Sequence, residues 1–151
     1  MRMGFITWRN DGVFQFNASD NGLASQLKAF KKLGTYPSEY TDLSYDFSSV
    51  DESAKAYVLL AESSKEDSIW HVINPNRRNL SQLGLGVPVP MDQFVQHVAR
   101  NSADRDVMVL SMYLQMIKSG INGNVDVSRT VERLKELGFE WSVPKPVSLY
   151  L

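Results

Sequence analysis

Short apolar runs and helical stripes alternate along this chain. The opening MRMGFIT, residues 1–7, is short and apolar and predicts a strand, as though the chain began in mid-sheet. The polar stretch WRNDGVFQFNASDNG follows as a loop, with Asp11-Gly12 as its turn dipeptide. Over 21–33, Leu23, Leu27, Phe30 and Leu33 recur at helical spacing and Gly34 is placed to stop the helix. Lys31 and Lys32 fall in its last turn, where a helix dipole favours cations.

A loop through TYPSEYTD then leads to an extended LSYDF. Ser49-Val50-Asp51-Glu52 has the form of a capping box and predicts a helix over 50–61. After the charged turn SSKED, SIWHVIN has the length and the β-branched and aromatic content of a buried strand. NLSQLG predicts a short helix, and the two prolines of GVPVP restrict it to an edge strand. Helical stripes follow over 91–100, 103–118 and 128–137, so the C-terminal half is mostly helix; Gly120 and Gly138 stand where left-handed helix ends want them. No repeat or linker interrupts the pattern, and one unit over 1–151 is expected.

Composition narrows the picture. A chain of 151 residues buries roughly two thirds of its unfolded surface, enough for a core without staples. A net charge of -1 argues against a general nucleic-acid or acidic-membrane binder. With no cysteine there is no disulfide, thiolate zinc site or cysteine nucleophile, which suits a cytoplasmic location. The apolar stretch at the N-terminus is too short for a signal peptide or a membrane span.

Motifs for chemistry are sparse. Gly84-Leu85-Gly86-Val87-Pro88-Val89 has valine where a dinucleotide loop needs its third glycine. None of the six tyrosines has a lysine four residues on, and no G-x-S-x-G elbow occurs. Asp104 and Asp106 lack the ladder of a calcium loop and read as a solvated helix start. His97 lies beside its helix's apolar stripe and is expected to be exposed. His71 shares a face with Ile69 and Ile73, opposite Trp70 and Val72, which makes it a half-buried or buried core histidine first and a catalyst second. Lys28, Lys31 and Lys32 with Arg77-Arg78 offer a weak basic patch for a phosphorylated partner, against the simpler reading of wet surface. Trp8, Phe14 and Phe16 in a polar loop suggest either a pocket wall or aromatics folded back on the core.

Taken in order, Arg2-Met3-Gly4, Leu33-Gly34, Val50-Asp51 with Ala54-Lys55-Ala56, and His71 with Asn74-Pro75 resemble the C-terminal part of the thioester reductase domains that end some nonribosomal peptide synthetases, within the extended short-chain dehydrogenase/reductase superfamily. The tail DVSRTVERLKELGFEW is similar to that family's closing helix and Leu-Gly-aromatic turn. Phe5 departs from the family pattern, which has asparagine after the glycine. The resemblance implies an α/β fold, or α+β as an isolated piece: a mostly helical, substrate-side portion with a few short strands, lacking the nucleotide-binding Rossmann half. The parent domain would use NADPH to reduce a peptide held by phosphopantetheine on a peptidyl carrier protein, releasing an aldehyde or alcohol. This chain would bind no cofactor or metal and carry no catalytic residue. Trp8, Phe14, Phe16 and Asn17 would be pocket-side loop residues, with Asp51, His71 and Asn74 as polar residues near the junction with the missing half. An exposed apolar face there implies a tendency to self-associate.

Two other readings stand beside it. One is a self-sufficient small binding or interaction domain without activity; the other, ranked last, is a small enzyme using carboxylate chemistry.

Overall fold

The computed structural model describes residues 1–13, 21–63, 68–118 and 125–144, with the backbone alone over 113–118. In chain order the elements are β1 (Arg2–Met3), β2 (Ile6–Thr7), α1 (Gly22–Leu33), β3 (Thr35–Pro37), β4 (Ser44–Tyr45), β5 (Ser48–Ser49), α2 (Val50–Ser63), β6 (His71–Val72), β7 (Arg78–Asn79), β8 (Val87–Val89), α3 (Met91–Arg100), α4 (Arg105–Lys118) and α5 (Ser128–Glu136). Short 3-10 turns occupy Ser38–Tyr40 and Leu80–Leu83. Mixed helix with small parallel strand pairs is the α/β character expected of a partial reductase piece.

The chain folds as two compact units made from interleaved segments. The first takes Met1–Gln15, Tyr45–Arg78 and Asn124–Lys145, and the second takes the rest.

In the first unit β1 runs parallel to β6, with Arg2 opposite His71 and Met3 opposite Val72. Likewise β2 runs parallel to β5, with Ile6 opposite Ser48 and Thr7 opposite Ser49. The expected single strand over 1–7 is therefore two strands that change partner at Gly4-Phe5, and SIWHVIN contributes only His71–Val72. Helices α2 and α5 cover one face. Ala56 and Leu60 of α2, Leu134 of α5, and Trp70, Val72, Phe139 and Trp141 make one buried cluster. Burying each of the larger aliphatic and phenyl side chains, Leu60, Val72, Leu134 and Phe139, contributes about 1.5–3 kcal/mol. Gly138 turns with φ 74, which delivers Phe139 and Trp141 edge-to-face at 5.3 Å. Cations seal the cluster, Arg129 over the Trp70 ring at 4.8 Å and Lys55 over Phe139 at 5.8 Å.

In the second unit α1 is capped by Asn21, whose side chain accepts the Ala24 N–H, and ends at Gly34 with φ 65, as its spacing predicts. TYPSEYTD is not a plain loop, because β3 within it pairs in parallel with β8, the expected edge strand. Phe30 packs edge-to-face on Phe94 at 5.7 Å, joining α1 to α3. The start of α4 falls two residues after the expected one because Asp104 caps it, accepting the N–H groups of Asp106 and Val107. Both Asp104 and Asp106 also pair with Lys32, at 2.8 and 2.7 Å, so these acids are a cap and an ion-pair site rather than merely solvated.

Candidate functional site at the Gly4 partner exchange

The C-terminal ends of β1 and β6 come out side by side, the position at which open parallel sheets gather ligands. The Gly4 N–H still donates to the Val72 carbonyl at 3.2 Å. One residue on, the Phe5 N–H points the opposite way and donates to Asp46 Oδ2 at 2.8 Å. The Phe5 carbonyl then accepts the Ser48 N–H at 3.2 Å, and β2 continues against β5. A carboxylate thus stands in for a strand partner at the single residue where the ladder changes sides. Gly4 permits it: a Cβ at that position would collide with Asp46 Oδ2 and lie 3.1 Å from Ile73 Cγ1.

Asp46 is half-buried between buried Tyr45 and Phe47. Burial pushes its carboxyl above the ordinary value; the Phe5 N–H, the Asp46 backbone, the Arg77 charge and the Ser48 hydroxyl pull it down without cancelling that effect. Sequence reasoning passed over this residue. The available signal was an acid inside the aromatic run Tyr45-Asp46-Phe47, which has to be matched by a donor.

Asn74 sits beside it, 1 % exposed. Its backbone N–H donates to Ser48 Oγ at 2.9 Å, and its side-chain amide donates to the carbonyls of Phe47 at 3.3 Å and Ser142 at 3.0 Å. Its Oδ1 accepts the Asn76 N–H at 2.9 Å, closing the turn around Pro75. Asn74 therefore organises the end of β6 through hydrogen bonds, with both amide protons committed within the chain. Asn76 extends the tie, donating to the carbonyls of Trp141 and Ser142 at 3.3 Å each.

His71 is half-buried. Its backbone N–H donates to Thr130 Oγ1 of α5 at 3.1 Å, and its ring Nδ1 lies 3.4 Å from the carbonyl of Asp126, in the segment that leads into α5. Strand alternation holds for Trp70 and Val72, which face the core, and for exposed Ile69; Ile73, 8 % exposed, breaks it where β6 ends.

Asp51, exposed at the start of α2, accepts the Asn10 N–H at 3.2 and 3.3 Å. Desolvation raises its carboxyl, but hydrogen bonds from Ser49, Asn10 and its own helix turn outweigh that and hold it below the ordinary value. The expected capping box takes a different form. Ser49 Oγ donates to Glu52 Oε2 at 3.0 Å, while Glu52 Oε1 accepts the Ser142 N–H at 3.0 Å. Trp8 is folded back on the core, 5.9 Å from the Phe47 ring, rather than lining an open wall. Phe14, Phe16 and Asn17 lie outside the described residues.

In the second unit His97 is not exposed. It is half-buried, with Nδ1 3.2 Å from Thr35 Oγ1, because the edge of the α3 stripe meets β3. The glycines of Gly84-Leu85-Gly86 serve the fold: Gly84 ends the 3-10 turn with φ 64, and a Cβ on Gly86 would run into the Gly34 carbonyl group. Among the described residues no group of three or more His, Cys, Asp or Glu is placed to hold a metal ion, and no helix is long and apolar enough to cross a membrane.

No family model matches this sequence, and no curated protein does. Solved structures do. A thiolation-reductase di-domain from an archaeal non-ribosomal peptide synthetase superposes with a TM-score of 0.79 at 26% identity, over 93% of this chain and 32% of that one. The reductase domain of the Aureusimine biosynthetic cluster superposes with a TM-score of 0.85 at 19% identity, over 99% of this chain and 41% of its own. The chain thus has the fold of the C-terminal part of a thioester reductase domain, and it spans about a third to two fifths of the length of the solved proteins it matches.

Proposed function

We propose that this chain is the substrate-side part of a terminal thioester reductase, which releases a peptide from a carrier protein as an aldehyde or alcohol with NADPH as hydride donor. The observation that carries this reading is the paired coverage: nearly the whole chain superposes on two such reductases, and more than half of each has no counterpart here. In this reading nucleotide binding and hydride transfer belong to that other part. The backbone at Gly86 supports this, since it is packed on Gly34 rather than open to a pyrophosphate. The first unit supplies a rigid substrate-side edge: Asn74, Asn76 and Glu52 lock the strand ends and the Phe139–Trp141 segment, while Asp46 and Gly4 shape the surface at the end of β1. The phosphopantetheine arm and its peptide are assigned to that edge. The protein is cytoplasmic in this reading, where carrier-bound intermediates are made.

A chimera tests this directly. The archaeal reductase domain, with its matching part replaced by residues 1–151, should oxidise NADPH when given a carrier protein loaded with a phosphopantetheine-linked peptidyl thioester, and residues 1–151 alone should not. Turnover by the 151-residue chain alone, or a folded chimera that never consumes NADPH, contradicts the proposal.

A further inference from the structure

Helix α2 is apolar on two faces. Inward, Ala56 and Leu60, with Leu59 partly buried against them, belong to the core cluster of the first unit. Outward, Val50, Ala54, Tyr57, Val58 and Ala61 are all exposed, Val50, Tyr57 and Val58 by 37%, 48% and 49%. A helix that covers one core is expected to be polar on its far side. Helix α5 of the same unit follows that rule, its exposed positions being Ser128, Arg129, Glu132, Lys135 and Glu136.

The outward face of α2 has an order of its own. Val50, Ala54, Tyr57 and Ala61 are spaced by four, three and four residues, the spacing of a coiled-coil seam. At about 3.6 residues per turn, Val58 adjoins that seam, and the exposed charges of Asp51, Lys55 and Glu62 all fall on the flank beyond Val58.

That flank selects the occupant. When a helix packs antiparallel on its own copy about a two-fold axis, like flank meets like flank. With the axis between Val58 and Leu59, Lys55 comes level with Glu62 of the copy, twice over, and Tyr57 falls within one residue of Ala61 of the copy, large against small. Sliding the helices to set Val50 against Ala61 brings Asp51 beside Glu62 and the two Lys55 side chains together, so like charges disfavour that register.

We infer that the outward face of α2 is a self-association surface, on which a second copy of this chain packs its own α2 antiparallel, with Lys55 paired to Glu62 across the two-fold axis. The inference does not depend on the reaction proposed above. A single pair of 14-residue helices buries less than the roughly 1,200–2,000 Å² of a stable interface, so the dimer is weak and reversible, with a Kd on the order of 10–500 μM.

Sedimentation equilibrium of the 151-residue chain from about 10 μM to about 1 mM tests this. The parent should dimerise. Lys55→Glu and Glu62→Lys should each weaken the dimer by at least about fivefold, and the two together should restore it to within about twofold of the parent. Lys55 also lies over the Phe139 ring at 5.8 Å; Glu62→Lys leaves that contact alone, so its effect reports the interface by itself. The chain has no cysteine, so single cysteines report the register: oxidised Val58→Cys should give a disulfide-linked dimer and Ala54→Cys should not. A parent that stays monomeric at about 1 mM overturns the inference. So does a dimer that either charge reversal leaves unchanged, that the double reversal fails to restore, or that links through Ala54→Cys rather than Val58→Cys.

Discussion

Asp46 and Gly4 are matched across 42 residues of sequence: the carboxylate that accepts the Phe5 N–H at 2.8 Å occupies the space a side chain on residue 4 would need. Gly4→Ala should therefore cost about 1–3 kcal/mol in urea unfolding, as overpacking against a fixed neighbour does. Removing the obstacle should recover part of that cost, so Asp46→Ala in the Gly4→Ala background should be less damaging than the two single losses added together. Strict additivity would separate the two positions.

The charge on Asp46 gives stability an identifiable pH dependence. Its folded pKa is raised, so the folded state holds the proton more tightly than the unfolded one. The penalty for ionising it is absent below the unfolded pKa and grows as pH rises through the folded value. Asp51, Asp104 and Asp126 are shifted downward and act oppositely: their stabilisation is present above the unfolded pKa and is lost as pH falls through the folded one. Asp46→Asn should therefore gain on the parent protein as pH is raised from about 3 to 7. Urea titrations at a series of pH values that show the parent gaining instead would refute this assignment.

Asn74 is the polar keystone of the first unit. Its replacement by alanine strips the donors from the carbonyls of Phe47 and Ser142 and should cost about 2–4 kcal/mol. Asn74→Asp faces those carbonyls with no donor when ionised, so its loss should shrink as pH falls. An Asn74→Asp protein equally stable at pH 5 and pH 8 would argue against the hydrogen-bond account.

In the second unit, two neighbouring glycines should respond differently. Gly84 has φ 64, and a Cβ added there would meet nothing within 4 Å, so Gly84→Ala should cost only the backbone penalty, on the order of 1 kcal/mol. Gly86→Ala forces a methyl into the Gly34 backbone and should cost clearly more. Melting curves that rank them the other way would contradict the packing described.

Much of this was legible because it is local. The α1 stripe with its Gly34 stop and the Pro-restricted edge strand at 86–90 are written in consecutive residues, and they form as read. The Ser49–Glu52 contact forms too, but Glu52 shares its carboxylate with Ser142, 90 positions away, which no capping pattern encodes. The break of the first strand was hidden for the same reason: its cause, Asp46, arrives from 41 residues beyond Phe5. His97 was misplaced because helical periodicity locates the stripe but not β3, whose Thr35 it meets. Of the site residues named from sequence, His71 opens β6 and Asn74 follows its end, Asp51 holds the Asn10 loop from the start of α2, and Trp8 joins the core.

If this chain recognises the substrate and leaves the nucleotide to another part, its binding preferences should show it. Calorimetric titration with a carrier protein, once bearing a phosphopantetheine-linked peptide and once bare, measures this most directly. The loaded carrier should bind at least about tenfold more tightly than the bare one, and NADPH should give no heat. Equal affinity for both carriers, or micromolar NADPH binding, would contradict that division of labour.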